Sequence, residues 1–138
     1  MRDMNDYGGC ASEQAFKMEW IKRHAGGFRA LFCVETEETV PGFPDVLGIR
    51  KDGTAVLLEF KRAGGRDDRV RFEPTQPAFM RKCLRLGIPV CVVAMESDGR
   101  CLCFPAAELL DSGLISVSGG LDLTRMRQHL RRRTLCGR

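Results

Sequence analysis

Apolar residues recur along this chain with two periods, and the changes from one to the other mark out its elements. Behind Ser12, the positions Phe16, Trp20 and Ile21 follow helical spacing, with Ser12-Glu13-Gln14 as a helix start and Gly26-Gly27 as the stop. Ala30–Val34 is a short β-prone run. Two further strands, Val46–Arg50 and Ala55–Lys61, are predicted around Lys51-Asp52-Gly53. Arg62 to Glu73 is polar, holds Gly64-Gly65 and the mixed cluster Arg66-Asp67-Asp68-Arg69, and reads as an exposed loop. Pro74-Thr75-Gln76 opens a second helix that carries Phe79, Met80, Cys83 and Leu84 on one side and ends at Gly87 and Pro89. Val90–Met95 is apolar without a break, the pattern of a strand buried on both faces in a parallel or mixed sheet reached by a helical crossover. Asp98-Gly99 turns into the strand Cys101–Phe104, and Ala106–Leu110 and Leu123–Arg133 are helical. The order α-β-β-β-α-β-β-α predicts an α/β fold with a mixed β-sheet flanked by helices.

Composition narrows the class without changing that order. The 138 residues suit one domain, and 43% hydrophobic with 29% charged residues is the balance of an ordinary folded protein. No apolar run approaches the length of a membrane span, and the polar start Met1–Asp6 argues against a secretory signal. Seven cysteines, an odd number, lie mostly in apolar runs such as Val90-Cys91-Val92-Val93, so they are expected to be reduced core residues of a cytoplasmic protein. Cys101-x-Cys103 has strand spacing and no second pair to make a zinc site. The formal net charge of +4 is concentrated at one end: residues 121–138 hold six arginines against the single acid Asp122, an excess of five, so the preceding residues sum to −1. Such a tail suits a polyanion, and a solvated basic helix has the same composition.

The residues that carry chemistry lie in the middle of the chain. Strand alternation sends Leu57, Glu59 and Lys61 to one face and Val56, Leu58 and Phe60 to the other. A carboxylate and an ammonium on an otherwise apolar strand are costly unless paired or bound to something. Hairpin register decides whether Asp45 joins them. A two-residue Asp52-Gly53 turn sets Asp45 opposite Phe60, whereas a three-residue loop with Gly53 in the left-handed region sets it opposite Glu59, and the second is expected. Two adjacent carboxylates suit a hard divalent cation, for which Mg²⁺ is the usual choice, and a neighbouring lysine suits a phosphate. Phe16, Trp20, Phe79 and Met80 are expected in the core, and His24 and His129 at the surface.

Asp45 after Pro44, followed by Glu59-x-Lys61 on the next strand, resembles the PD-(D/E)xK nuclease superfamily. Gly42-x-Pro44-Asp45, with Gln76 at the start of the following helix and Gly87-Ile88-Pro89-Val90 leading into an apolar strand, is similar to its VRR-NUC branch. The resemblance covers about residues 12–105 and implies a restriction-endonuclease-like core, α-β-β-β-α-β, with 106–138 as a helical, arginine-rich extension of a single domain 1–138. It implies a metal-dependent DNA endonuclease of phage or bacterial type, acting on structured DNA such as a Holliday junction. Mg²⁺ or Mn²⁺ would be held by Asp45, Glu59, the Phe60 carbonyl and Glu13, with Glu19 as the alternative to Glu13. Lys61 would be the catalytic lysine, and Gln76 would stand near the bound water or the phosphate, unless it only caps its helix. Arg62, Arg66 and Arg69, and Arg131, Arg132 and Arg133 of the tail, are the expected DNA contacts. A two-fold homodimer would present two such sites to two strands. The rival readings are a nucleic-acid-binding protein that keeps the fold without the activity, against which the intact Asp45, Glu59 and Lys61 speak, and a small restriction-type endonuclease, for which the chain has no residues to spare for a recognition domain.

Overall fold

The computed structural model describes residues 5–34, 41–64, 68–115 and 119–135, with side chains of the last helix described through His129. Ser12 caps helix α1 (Glu13–His24), its side chain accepting a hydrogen bond from the Ala15 N–H at 3.0 Å. The Gly26-Gly27 stop takes the form of one 3₁₀ turn, Ala25–Gly27, before strand β1 (Phe28–Cys33). Strands β2 (Val46–Arg50) and β3 (Ala55–Arg62) extend it as an antiparallel meander. Helix α2 (Thr75–Arg85) then carries the chain over to β5 (Val90–Met95), which lies parallel to β3, and β6 (Cys101–Pro105) closes the sheet antiparallel to β5. The protein is therefore mixed α/β, with a five-stranded mixed sheet in the order β1-β2-β3-β5-β6 flanked by helices. Strand β4 (Arg69–Arg71) lies in a second, two-stranded sheet.

Both faces of the sheet are covered, as the unbroken apolar run of β5 requires. On one side Phe16 and Trp20 of α1 pack on Val56, Leu58, Phe60, Val93 and Met95; the Trp20 and Phe60 rings meet edge to face with centroids 5.3 Å apart. On the other side Leu57, Val90, Val92 and Ala94 meet Met80 and Cys83 of α2, together with Leu109 of α3 (Ala106–Asp111) and Met126 of α4 (Leu123–Leu135). Alternation along β3 thus separates two cores, with Phe60 in one and Glu59 and Lys61 facing the other.

Four expectations change. The segment read as an exposed loop contains β4 (Arg69–Arg71), which pairs antiparallel with β7 (Gly120–Asp122) in a separate two-stranded sheet, with Val70 and Phe72 buried. The partner strand lies 53 positions further on, and the glycines and charges nearby mask the short alternation of Val70 and Phe72. Among the described cysteines only Cys83 is fully buried: Cys10, Cys91 and Cys101 are half-buried, and Cys33 and Cys103, on the edge strands β1 and β6, are exposed. His24 is half-buried and stacked on Trp20, and His129 is half-buried beside Phe104. Phe79 is only partly buried, against Phe43. The acidic connection Glu35–Thr39, the residues Arg66 and Asp67, Cys136 and the side chains of Arg131, Arg132 and Arg133 lie outside the described residues. Among the described residues, no helix is long and apolar enough to cross a membrane.

Candidate active site

The geometry of the site starts at the β2–β3 hairpin. Val46 pairs with Leu58 and Ile49 with Ala55; Arg50 N donates to the Thr54 carbonyl at 2.8 Å, and Gly53 N donates to the Arg50 carbonyl at 2.9 Å. The loop is therefore Lys51-Asp52-Gly53, three residues, with Gly53 at φ +87°, where a side chain would be strained. Continuing this register one step sets Asp45 opposite Glu59. The Asp45 carboxylate closes on β3 by accepting the Phe60 N–H at 3.0 Å.

Glu59 is 2% exposed. Burial, and after it the Asp45 carboxylate, push its pKa up to about 8; Lys61 opposes the shift, while Glu13 and a hydrogen bond with Asp45 add to it. Glu59 ionises readily in this position only if positive charge arrives. Glu13 enters from the first turn of α1 and accepts the Arg62 N–H at 3.3 Å. Glu13 is exposed as a residue, but partial desolvation of its carboxyl by the neighbouring strand raises its pKa, Lys61 and the Arg62 N–H lower it, and Asp45 raises it again, so Glu13, Asp45, Glu59 and Lys61 act on one another electrostatically. Glu19 is placed apart. It pairs with Arg23 at 3.0 Å beside a different cavity, lined also by Asp6 and Tyr7.

Gln76 ties the group together. Its Nε2 donates to Glu59 Oε1 at 2.7 Å, and its Oε1 accepts from Lys61 Nζ at 2.8 Å and from Glu73 N at 2.8 Å. Two donors facing one end and a carboxylate facing the other define the amide orientation. The same Oε1 satisfies an amide at the entry to α2, which has no side-chain cap of its own, so Gln76 serves both the helix start and the polar cluster. Lys61 is 7% exposed, with Nζ 3.8 Å from Glu59 Oε1 and 4.9 Å from the centre of the Phe72 ring. Gly42 explains how α2 comes so near. At φ +83° a Cβ there would collide with the Thr75 carbonyl, so only glycine lets the Pro44-Asp45 loop lie against the helix start that carries Gln76.

Asp45, Glu59, Lys61, Gln76 and Glu13 are thus brought together, and Phe60 contributes its N–H while its ring fills the α1 core. The arginines are placed differently. Arg62 is half-buried and donates through Nε to the Cys10 carbonyl at 3.1 Å, whereas Arg69 is exposed on β4 with one long ion pair, 3.8 Å, to Asp122. Arg127 donates through Nε to the buried Glu96 at 2.6 Å and pairs with Asp68 at 3.5 Å, which joins α4 to the end of β5. Sequence reasoning missed Phe72 as the platform under Lys61; the signal for it was the alternation Val70-x-Phe72.

Asp45, Glu59 and Glu13 supply carboxylate oxygens, the donor class that a hard dication takes, along one strand beside a single lysine. Among the described residues, no three His, Cys, Asp or Glu side chains form a ready-made metal cage; Asp45 turns one oxygen to the Phe60 N–H and Glu59 turns one to Gln76. A scan against protein-family models finds no match for the chain, and no curated protein is significantly similar to it.

Proposed function

We propose that the protein is a divalent-metal-dependent nuclease that hydrolyses phosphodiester bonds in DNA, built on a restriction-endonuclease-like core and acting on structured DNA. The observation that carries this reading is the buried Glu59–Gln76–Lys61 bridge, with the Asp45 and Glu13 carboxylates held on the adjoining Phe60 and Arg62 amides of the same strand. A structural ion pair joins one acid to one base; here the Asp45 and Glu13 carboxylates add their negative charge to the Glu59–Lys61 pair. Asp45 and Glu59, with Glu13 and the Phe60 carbonyl, would hold Mg²⁺ or Mn²⁺, which when bound supplies Lewis acidity toward a phosphate and an acidified water.

The chain's own residues have separable tasks. Lys61 presents a cation, preorganised by Gln76 Oε1 and the Phe72 ring, for the charge that builds on the phosphate oxygens in the transition state. Gln76 positions it and holds Glu59 in a single orientation. Burial of Glu59 and Lys61 keeps bulk water from screening these interactions. Incubating the protein with labelled duplex, single-stranded, flap and four-way-junction DNA in Mg²⁺, Mn²⁺ or EDTA tests the reading. Cleavage is expected with Mg²⁺ or Mn²⁺ and none with EDTA. Tight binding to these DNAs with no cleavage in either metal would favour a binding protein that keeps the fold, a reading consistent with the engagement of Asp45 and Glu59 by protein donors.

A further inference from the structure

We propose that the β4–β7 ribbon is a phosphate-backbone grip that holds the nucleic acid beside Lys61, with Arg71 and Arg69 as its contacts. The inference rests on the nuclease reading for its substrate and on separate observations for its location.

Period two places Arg69 and Arg71 on the outer face of β4 while Val70, between them, is buried in the core. The ribbon is a rigid mount. Three register pairs join it to β7, Leu121 is fully buried, Phe72 N donates to the Gly119 carbonyl at 2.8 Å, and Leu123 N donates to the Asp68 carbonyl at 2.7 Å. The Asp68 carboxylate in turn accepts from Ser97 N and Oγ at 2.8 and 2.6 Å. Groups held on such a frame keep their spacing to the site, which is what contact with a polymeric ligand requires.

The ribbon runs directly into the candidate site. Phe72 follows Arg71 and places its ring under Lys61 Nζ, and the N–H of the next residue, Glu73, bonds to Gln76. In the proposed grip, a strand whose scissile phosphate sits at Lys61 runs on across the outer face of β4, where its neighbouring phosphates meet the two arginines.

Availability separates these two arginines from three that the fold itself engages, and their place on the ribbon beside Phe72 separates them from the other exposed arginines. Arg23, Arg62 and Arg127 are each engaged by carboxylates or carbonyls. Arg71 is exposed and, among the described residues, has no hydrogen bond or ion pair. Arg69 has only the 3.8 Å pair with Asp122, on a side chain 69% exposed, a contact that solvent screens and a phosphate readily replaces. Opposite Arg71 in the ladder stands Gly120, which brings no side chain of its own to the pair. An open cavity of about 260 Å³ lies there, lined by Arg69, Val70, Arg71 and Gly120 and by no acid. Arginine forks match phosphate oxygens in such a position.

The test is binding of fluorescent duplex and single-stranded oligonucleotides, read by anisotropy over a salt series with Ca²⁺ as the divalent ion. Wild type is compared with Arg69→Ala/Arg71→Ala and with Arg69→Lys/Arg71→Lys. Each phosphate contact adds roughly 0.7–0.9 to the slope of log affinity against log salt, so the alanine pair should lower the slope by about 1–2 and weaken low-salt binding about tenfold or more, and the lysine pair should restore the slope. Melting temperatures should agree among the three proteins, because both side chains are exposed. Wild-type affinity and slope in the alanine pair would overturn the proposal, as would a wild type that binds neither DNA. Cleavage assays run in parallel separate the two readings. A wild type that cuts DNA, beside an alanine pair that binds as tightly, removes the grip and leaves the nuclease; a wild type that never cuts, beside an alanine pair with weakened binding, removes the nuclease and leaves the grip.

Discussion

At the residue scale, Gln76 matters as much as the acids, because it is the one side chain bonded to both Glu59 and Lys61. Gln76→Ala leaves a buried carboxyl and a buried ammonium each short of a partner, a defect of about 1–3 kcal/mol. Urea denaturation should register a loss of that size, and cleavage should fall as well. Glu59→Gln behaves in the opposite way. It removes one of three clustered acids, so the metal-free protein should melt at or above the wild-type temperature, while cleavage in Mg²⁺ disappears. A metal-free Glu59→Gln protein that melts far below wild type would show that the carboxylate is a structural partner of Lys61 and not a ligand.

At the scale of elements, the hairpin loop governs the site from a distance. Its three residues set Asp45 opposite Glu59, and a loop one residue shorter shifts every pairing, which carries Asp45 to the other face. Deletion of Lys51 should therefore leave helix and sheet content close to wild type by circular dichroism and abolish cleavage. Gly53→Ala tests the same loop without changing its length. At φ +87° the substitution should cost about 1 kcal/mol, with little change in cleavage, because the register survives. A large loss of activity in Gly53→Ala would mean that the loop itself touches substrate.

At the scale of the whole molecule, α4 is bound to the domain by charge as well as by the buried Leu123 and Met126. Arg127→Ala strands Glu96, 2% exposed, without its counter-ion. The expected loss is about 2–4 kcal/mol, somewhat under the roughly 3–5 for a fully buried pair because Arg127 is 35% exposed. Asp68 links the same network to Ser97, and the Ser97 hydroxyl and N–H hold its carboxyl below the usual carboxylate range. A carboxyl whose folded pKa is depressed stabilises fully above its unfolded value and progressively less as pH falls through the folded one. Stability should therefore drop below about pH 4 more steeply in wild type than in Asp68→Asn, as measured by thermal melts from pH 2.5 to 6. Parallel acid limbs in the two proteins would remove Asp68 from this role.

Local pattern alone determined most of the elements and the face each strand residue takes. The cap at Ser12, the stop near Gly27, the turn at Gly53 and the alternation of Leu57, Glu59 and Lys61 are effects of neighbouring backbone geometry, legible over a few residues. The pairing of Asp45 with Glu59 was legible for the same reason, since a hairpin's register is set by its own short loop. Other features depended on contacts that local sequence does not encode. The β4–β7 ribbon joins segments 53 positions apart, and its burial of Val70 and Phe72 outweighs the polar, glycine-containing surroundings that suggested an open loop. Helical spacing to Phe16 and Trp20 favours Glu13 over Glu19, but the partners of the two, the Arg62 N–H for Glu13 and Arg23 for Glu19, are set by where α1 crosses β3. Arg127 looked like its neighbours in a basic tail, yet the buried Glu96 at the end of β5 makes it an anchor. A charge is legible one residue at a time, but its partner is supplied by the packing of the chain.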